Sequence, residues 1–187
     1  MKTMHTSPIE RLGRPLAIGL LGALFVLTGP SCAVGGDKVA AQTQTVLTVL
    51  KTLEAQPKID EASLGASLDT ALTRDEAQSD ASFAILTGKP RPGGRAPAEV
   101  STVELRVPGA GSTAKGPFVY LTLDAARSPT MTQVVEAFGR ATKVDVPRPN
   151  PEKAMVLVYQ TPRGQLRFGI GVGPEQKVVS ATIDRTE

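Results

Sequence analysis

The chain is short of the residues that most enzyme chemistry needs. It has one cysteine, one histidine and no tryptophan, and aromatics make up 4% of 187 residues. The single histidine is His5 and the single cysteine is Cys32, both near the N-terminus. Triads and dyads that use histidine as a base are therefore excluded from everything beyond that end. Zinc sites built from cysteine and histidine are excluded in the same way. One thiol cannot form an internal disulfide. With so few aromatics, the core has to be aliphatic.

Charge of one sign is missing too. The overall pI is about 9.2, yet Lys2, Arg11 and Arg14 lie in the first fifteen residues, with Glu10 as the only acid there. Beyond them the chain is close to neutral, and it contains no long basic run. That excludes the electrostatic footprint of phosphate-backbone binding, so no nucleic-acid partner is expected.

What is present begins with an export pattern. A basic Met1–Pro15 precedes Leu16–Thr28, which is apolar and uncharged, and then Gly29-Pro30-Ser31-Cys32-Ala33. Basic region, short apolar region and small-residue turn make the layout of a signal peptide over residues 1–33. The apolar run is shorter than the ~20 residues that span a bilayer. Two processing routes stay open. Ser31-Cys32-Ala33 satisfies the small-x-small rule for cleavage after Ala33. Alternatively, Ser31 before Cys32 resembles a lipobox, with Cys32 as the lipidated first residue and a membrane anchor. The expected location is the bacterial periplasm or outer membrane.

Residues 34–87 read as a helical N-terminal region. Val39–Ala55 has Val39, Val46, Leu50 and Leu53 near one face, with Asp37 as its cap and Pro57 after it. Glu61–Ala77 places Leu64, Leu68 and Leu72 four apart. Ser82–Thr87 is a candidate short strand. Gly88–Pro97, rich in proline and glycine, is the linker and boundary. Residues 98–187 then form an α+β domain.

Within that domain Glu99–Val107 alternates as a half-buried strand. Phe118–Asp124 is apolar on both faces and belongs inside a sheet. Thr130–Phe138 is a helix, with Thr130 and Gln133 as its capping box, a buried stripe of Met131, Val134, Val135 and Phe138, and Gly139 as its stop. Val144–Pro151 carries three prolines and reads as irregular. The last strands are Met155–Gln160, Gln165–Ile170 and Val178–Asp184, the first two joined at Thr161-Pro162-Arg163-Gly164. Pairing Gln160 with Gln165 sets Tyr159 opposite Leu166, Leu157 opposite Phe168 and Met155 opposite Ile170. Residues directly opposite share a face, so one face is wholly apolar.

On the other face Val158 lies opposite Arg167, and Val156 opposite Gly169. Val156, Val158 and Arg167 are the candidate partner-binding residues. Cover by the N-terminal helices is the favoured alternative for the two valines, since scattered apolar surface rarely needs a functional explanation. The expected architecture is α+β: an N-terminal helical hairpin plus an antiparallel sheet of about five strands with one helix packed on it. No internal repeat is visible.

Motifs with catalytic overtones fit poorly. Ser112-Thr113-Ala114-Lys115 matches the Ser-x-x-Lys of penicillin-recognising enzymes, but it sits in a Gly/Pro-bounded loop without companion motifs. Gly169-Ile170-Gly171-Val172-Gly173 leads to Pro174 and not to a helix, which argues for a bulged strand exit over a phosphate loop. The carboxylates Glu99, Glu104, Asp124, Asp145 and Asp184 more simply cap or solvate strands. No cofactor, metal or catalytic residue is expected, and the chain reads as a non-enzyme.

Met131-Thr132-Gln133-Val134 leading to Phe138-Gly139, then Val158-Tyr159 and strands ending at Val178–Ile183, resembles the small outer-membrane lipoproteins of the SmpA/OmlA type. The resemblance covers Thr130–Asp184 and implies a small α+β fold and an envelope location. Proteins of that type support outer-membrane protein assembly. The functional expectation is an exported envelope protein that works by binding protein, or alternatively a periplasmic immunity protein or inhibitor of an envelope-acting toxin or hydrolase.

Overall fold

The structure, a computed structural model, describes residues 45–146 and 155–186. The expected leader, His5, Cys32, the Asp37 cap and residues 147–151 of the proline-rich stretch lie outside the described residues.

Among the described residues two short helices come first, α1 (Val46–Ala55) and α2 (Glu61–Leu68). α2 is shorter than its hydrophobic periodicity suggested, while residues 39–44 of the first expected helix lie outside the described residues. Thr45, in extended conformation, caps α1 by accepting the Thr48 N–H, so the helix begins at Val46. At the other end of the pair, Asp69 turns left-handed at φ 44° and the Thr70 N–H bonds back to Gly65 O at 3.0 Å. That six-to-one closure ends α2 nine residues early, and Leu72 leads into a strand.

The strands are β1 (Thr73–Arg74), β2 (Phe83–Gly88), β3 (Val100–Pro108), β4 (Phe118–Leu123), β5 (Lys143–Asp145), β6 (Met155–Thr161), β7 (Gly164–Ile170) and β8 (Val178–Arg185), with α3 (Met131–Phe138) between β4 and β5. They form one antiparallel sheet of eight strands in the order β1-β2-β3-β4-β8-β7-β6-β5. The α+β class holds, but the sheet has eight strands where about five were expected. β1 and β5 are too short to leave an alternation in the sequence. Gly88–Pro97 connects β2 to β3, which pair directly.

The chain builds this sheet from two related halves: a pair of helices and a four-strand meander, then one helix and a second four-strand meander. The halves join along their last strands, β4 against β8. The sequence shows no repeat, but the topology is close to two-fold.

Register in the β6–β7 hairpin is as the turn dictated, with Tyr159 opposite Leu166, Leu157 opposite Phe168 and Met155 opposite Ile170. Only Pro162 and Arg163 separate the strands. Gly164 has φ 142°, and a Cβ there would sit 2.0 Å from Asp184 O. The strand exit at Gly169/Ile170 carries a register shift against β8.

One face of the sheet carries the core: Leu105, Val119, Leu121, Leu166, Phe168, Ala181 and Ile183, all buried. Leu50, Leu53, Leu64, Leu68 and Val134 from the three helices belong to the same cluster. α3 has the expected capping box of Thr130 with Gln133, and Gly139 as its C-cap. Its stripe is narrower than expected. Val134 is buried, Met131 and Phe138 are partly buried, and Val135 is 41% exposed, because it points off the side of the helix facing the sheet. Phe138 seats α3 through ring contacts at 5.2 Å to Phe168 and 5.8 Å to Tyr159. Lys51 of α1 lies 5.2 Å over the same Phe138 ring, so α1 and α3 share this face.

Candidate functional site

Because α1, α2 and α3 all pack on one face, no described helix covers the other. This corrects the favoured expectation that the N-terminal helices cover Val156 and Val158. The aliphatic stripe of those helices, Val46, Leu50, Leu53, Leu64 and Leu68, is spent on the same core as α3.

Strand parity builds the open face row by row. Across the middle run Thr73, Thr87, Glu104, Tyr120, Thr182, Arg167, Val158 and Lys143, each opposite the next. The neighbouring rows are Ile85, Arg106, Phe118, Asp184, Gln165 and Gln160, and Thr102, Thr122, Ser180, Gly169, Val156 and Asp145.

Its charges are held in place by one another. Arg106 pairs with Glu104 and lies 5.6 Å over the Phe118 ring. Arg167 donates from Nε at 2.9 Å and Nη2 at 2.6 Å to Gln165 Oε1, and from Nη2 to Asp184 Oδ2 at 3.2 Å. Each arginine thus grips the residue two before it on the third strand of its half. Between them, on the central strands, stand Phe118 and Tyr120, both half-buried. Fixed arginines beside rigid aromatics are the composition of protein-binding hot spots.

The three sequence candidates all fall on this face. Arg167 is part-exposed and anchored. Val156 is half-buried. Val158 is only 5% exposed between Arg167 and Lys143, so it offers a partner little area. The sequence reading missed Glu104, Arg106, Phe118 and Tyr120. Their signal was present: Phe118 and Tyr120 alternate with the core residues Val119 and Leu121, so they had to share the face of Arg167.

The other motifs do not converge. Ser112 Oγ accepts the Ala114 N–H at 3.1 Å, and Lys115 is exposed. Glu104, Asp145 and Asp184 are tied up with Arg106, Lys143 and Arg167, while Asp124 caps a turn through the Ala126 N–H. Among the described residues no three acidic, histidine or cysteine side chains come together. A hollow of about 200 Å³ between α1, α3 and β6 is lined by Lys51, Glu54, Phe138, Tyr159, Gln160, Thr161 and Leu166. Burial pushes the Tyr159 phenol above its usual range, and its hydroxyl donates to Gly139 O at 3.1 Å, so that group serves the fold. No described helix is long and apolar enough to cross a membrane.

No family model, curated protein or solved structure matches this chain.

Proposed function

We propose that the chain is an exported, non-catalytic protein of the bacterial envelope that binds a protein partner through the open face of its sheet. The observation that carries this reading is the one-sided placement of the helices. It leaves Phe118, Tyr120, Arg106, Glu104 and Arg167 together on a face with no described cover. The basic, apolar and small-residue order of residues 1–33 supports export. Cys32 is the position at which a lipid anchor would hold the domain at a membrane. The grouped arginine and aromatic side chains are of recognition type.

A photo-crosslinking residue at Tyr120, compared with one at the exposed Thr52 on α1, tests the reading in intact cells. Adducts to one protein from position 120 and none from position 52 are expected, together with recovery of the chain in the envelope fraction. Adducts from position 52 alone, or a cytoplasmic chain with its N-terminus intact, would overturn it.

A further inference from the structure

β5 ends the sheet, and among the described residues no strand pairs with its outer side. Alternate backbone N–H and C=O groups of such a strand point away from the sheet and can accept another strand. All three of its residues are exposed. Val144 is 49% exposed and Val146, just beyond it, 61%. Those are two of only five large apolar side chains exposed among the described residues.

Natural sheets guard such edges with charge. The guard here is Lys143 and Asp145, on the same face and 2.6 Å apart. A single lysine would repel its own copy. Lys-Val-Asp does not. When two such strands run antiparallel with Val144 opposite Val144, Lys143 of each copy falls opposite Asp145 of the other. Residues directly opposite share a face with Cβ atoms ~5 Å apart. The two ion pairs then become an alternating square of four charges, and the two valines cover one another on the opposite side. Sliding the pairing by two residues either way brings lysine against lysine or aspartate against aspartate. A parallel arrangement in register does the same. The pattern selects one partner, one orientation and one register.

We propose that β5 is a homotypic docking strand, through which a second copy of this chain pairs antiparallel about Val144 and continues the sheet across a two-fold axis. The contact is short, so the pairing is weak and concentration-dependent. It uses the sheet edge and leaves the open face free, so its failure would not touch the protein-binding reading.

The test uses the full chain in mild detergent with Cys32→Ser and Val144→Cys, leaving one thiol. Under mild oxidation a disulfide-linked dimer is expected from position 144, and none from a control with Thr52→Cys. Adding Lys143→Asp or Asp145→Lys should each lower the yield several-fold by placing like charges opposite. Mixing those two variants, or combining both changes in one chain, should restore it. No dimer from position 144, or a yield indifferent to the charge changes, would overturn the proposal. Thr52, Lys143, Val144 and Asp145 are all exposed, so changes there keep the fold.

Discussion

Arg185, the last residue of β8, donates from Nη2 to the carbonyl oxygen of Leu53 at 2.8 Å, across 132 positions of sequence. The same nitrogen reaches Glu54 O and Gln56 O, each at 2.9 Å. Arg185 is only 4% exposed. The final carbonyls of a helix lack their usual N–H partners four residues on, and a cation there is favoured by the negative end of the helix dipole. One guanidinium therefore both caps α1 and ties it to a central strand. Arg185→Met should destabilise the chain by ~1.5–3 kcal/mol, since it removes the charged donor that three carbonyls at the end of α1 share. Urea unfolding measures the loss, and amide exchange should quicken in α1 before the sheet. Arg185→Lys should recover only part, because an ammonium lacks the planar fork.

Gly164 is required by a close approach. Its φ of 142° is outside the range L side chains adopt, and a Cβ would collide with Asp184 O. Gly164→Ala must push β7 away from β8 in the middle of the sheet, at a cost above ~2 kcal/mol. Denaturant midpoints read this directly. Gly173, with open space around it, should accept alanine with little change.

Asp60 caps α2. The Ser63 backbone N–H, then Lys58 and the Ser63 hydroxyl, hold its carboxyl below the usual value of 3.8. A depressed carboxylate stabilises the fold above its ordinary pKa, and that contribution is lost as pH falls through the lowered folded value. Asp60→Asn keeps an acceptor but not the charge. Its melting temperature should lie below that of the unaltered chain at pH 6, and the gap should close below pH 4.

Tyr159 behaves in the opposite sense. Burial raises its phenol above 10.0, so the fold favours the neutral form. That preference is fully present below pH 10 and is lost as pH rises through the folded value. Tyr159→Phe should cost ~1 kcal/mol at neutral pH through the lost bond to Gly139. It should also lessen the drop in stability above pH 10. Thermal melts at pH 7 and pH 10.5 separate the two effects.

Features set by neighbours in sequence were legible. Thr130, Gln133 and Gly139 framed α3, and the tight turn at Pro162 determined which residues of β6 and β7 meet. Parity then put Arg167, Val156 and Val158 on one face. Features set by distant partners were not. Nothing local says on which face α1 and α2 land, because their leucines would satisfy either. Nothing local reveals that Arg185 reaches Leu53. The end of α2 was readable in principle from Asp69-Thr70, but the regular spacing of Leu64, Leu68 and Leu72 masked it. The exposure of Val158 depends on strands to either side of it, which alternation along β6 cannot report.

The placement of β8 has a consequence in time. This strand comes last among those described and lies near the centre, between β4 and β7. Until it has emerged, each half of the sheet presents an unpaired inner edge, and α1 lacks the arginine that pins it. Among the described strands, the one latest in sequence is the one that joins the two halves. The two halves of the sheet are joined across its centre only when this segment has paired with both of them.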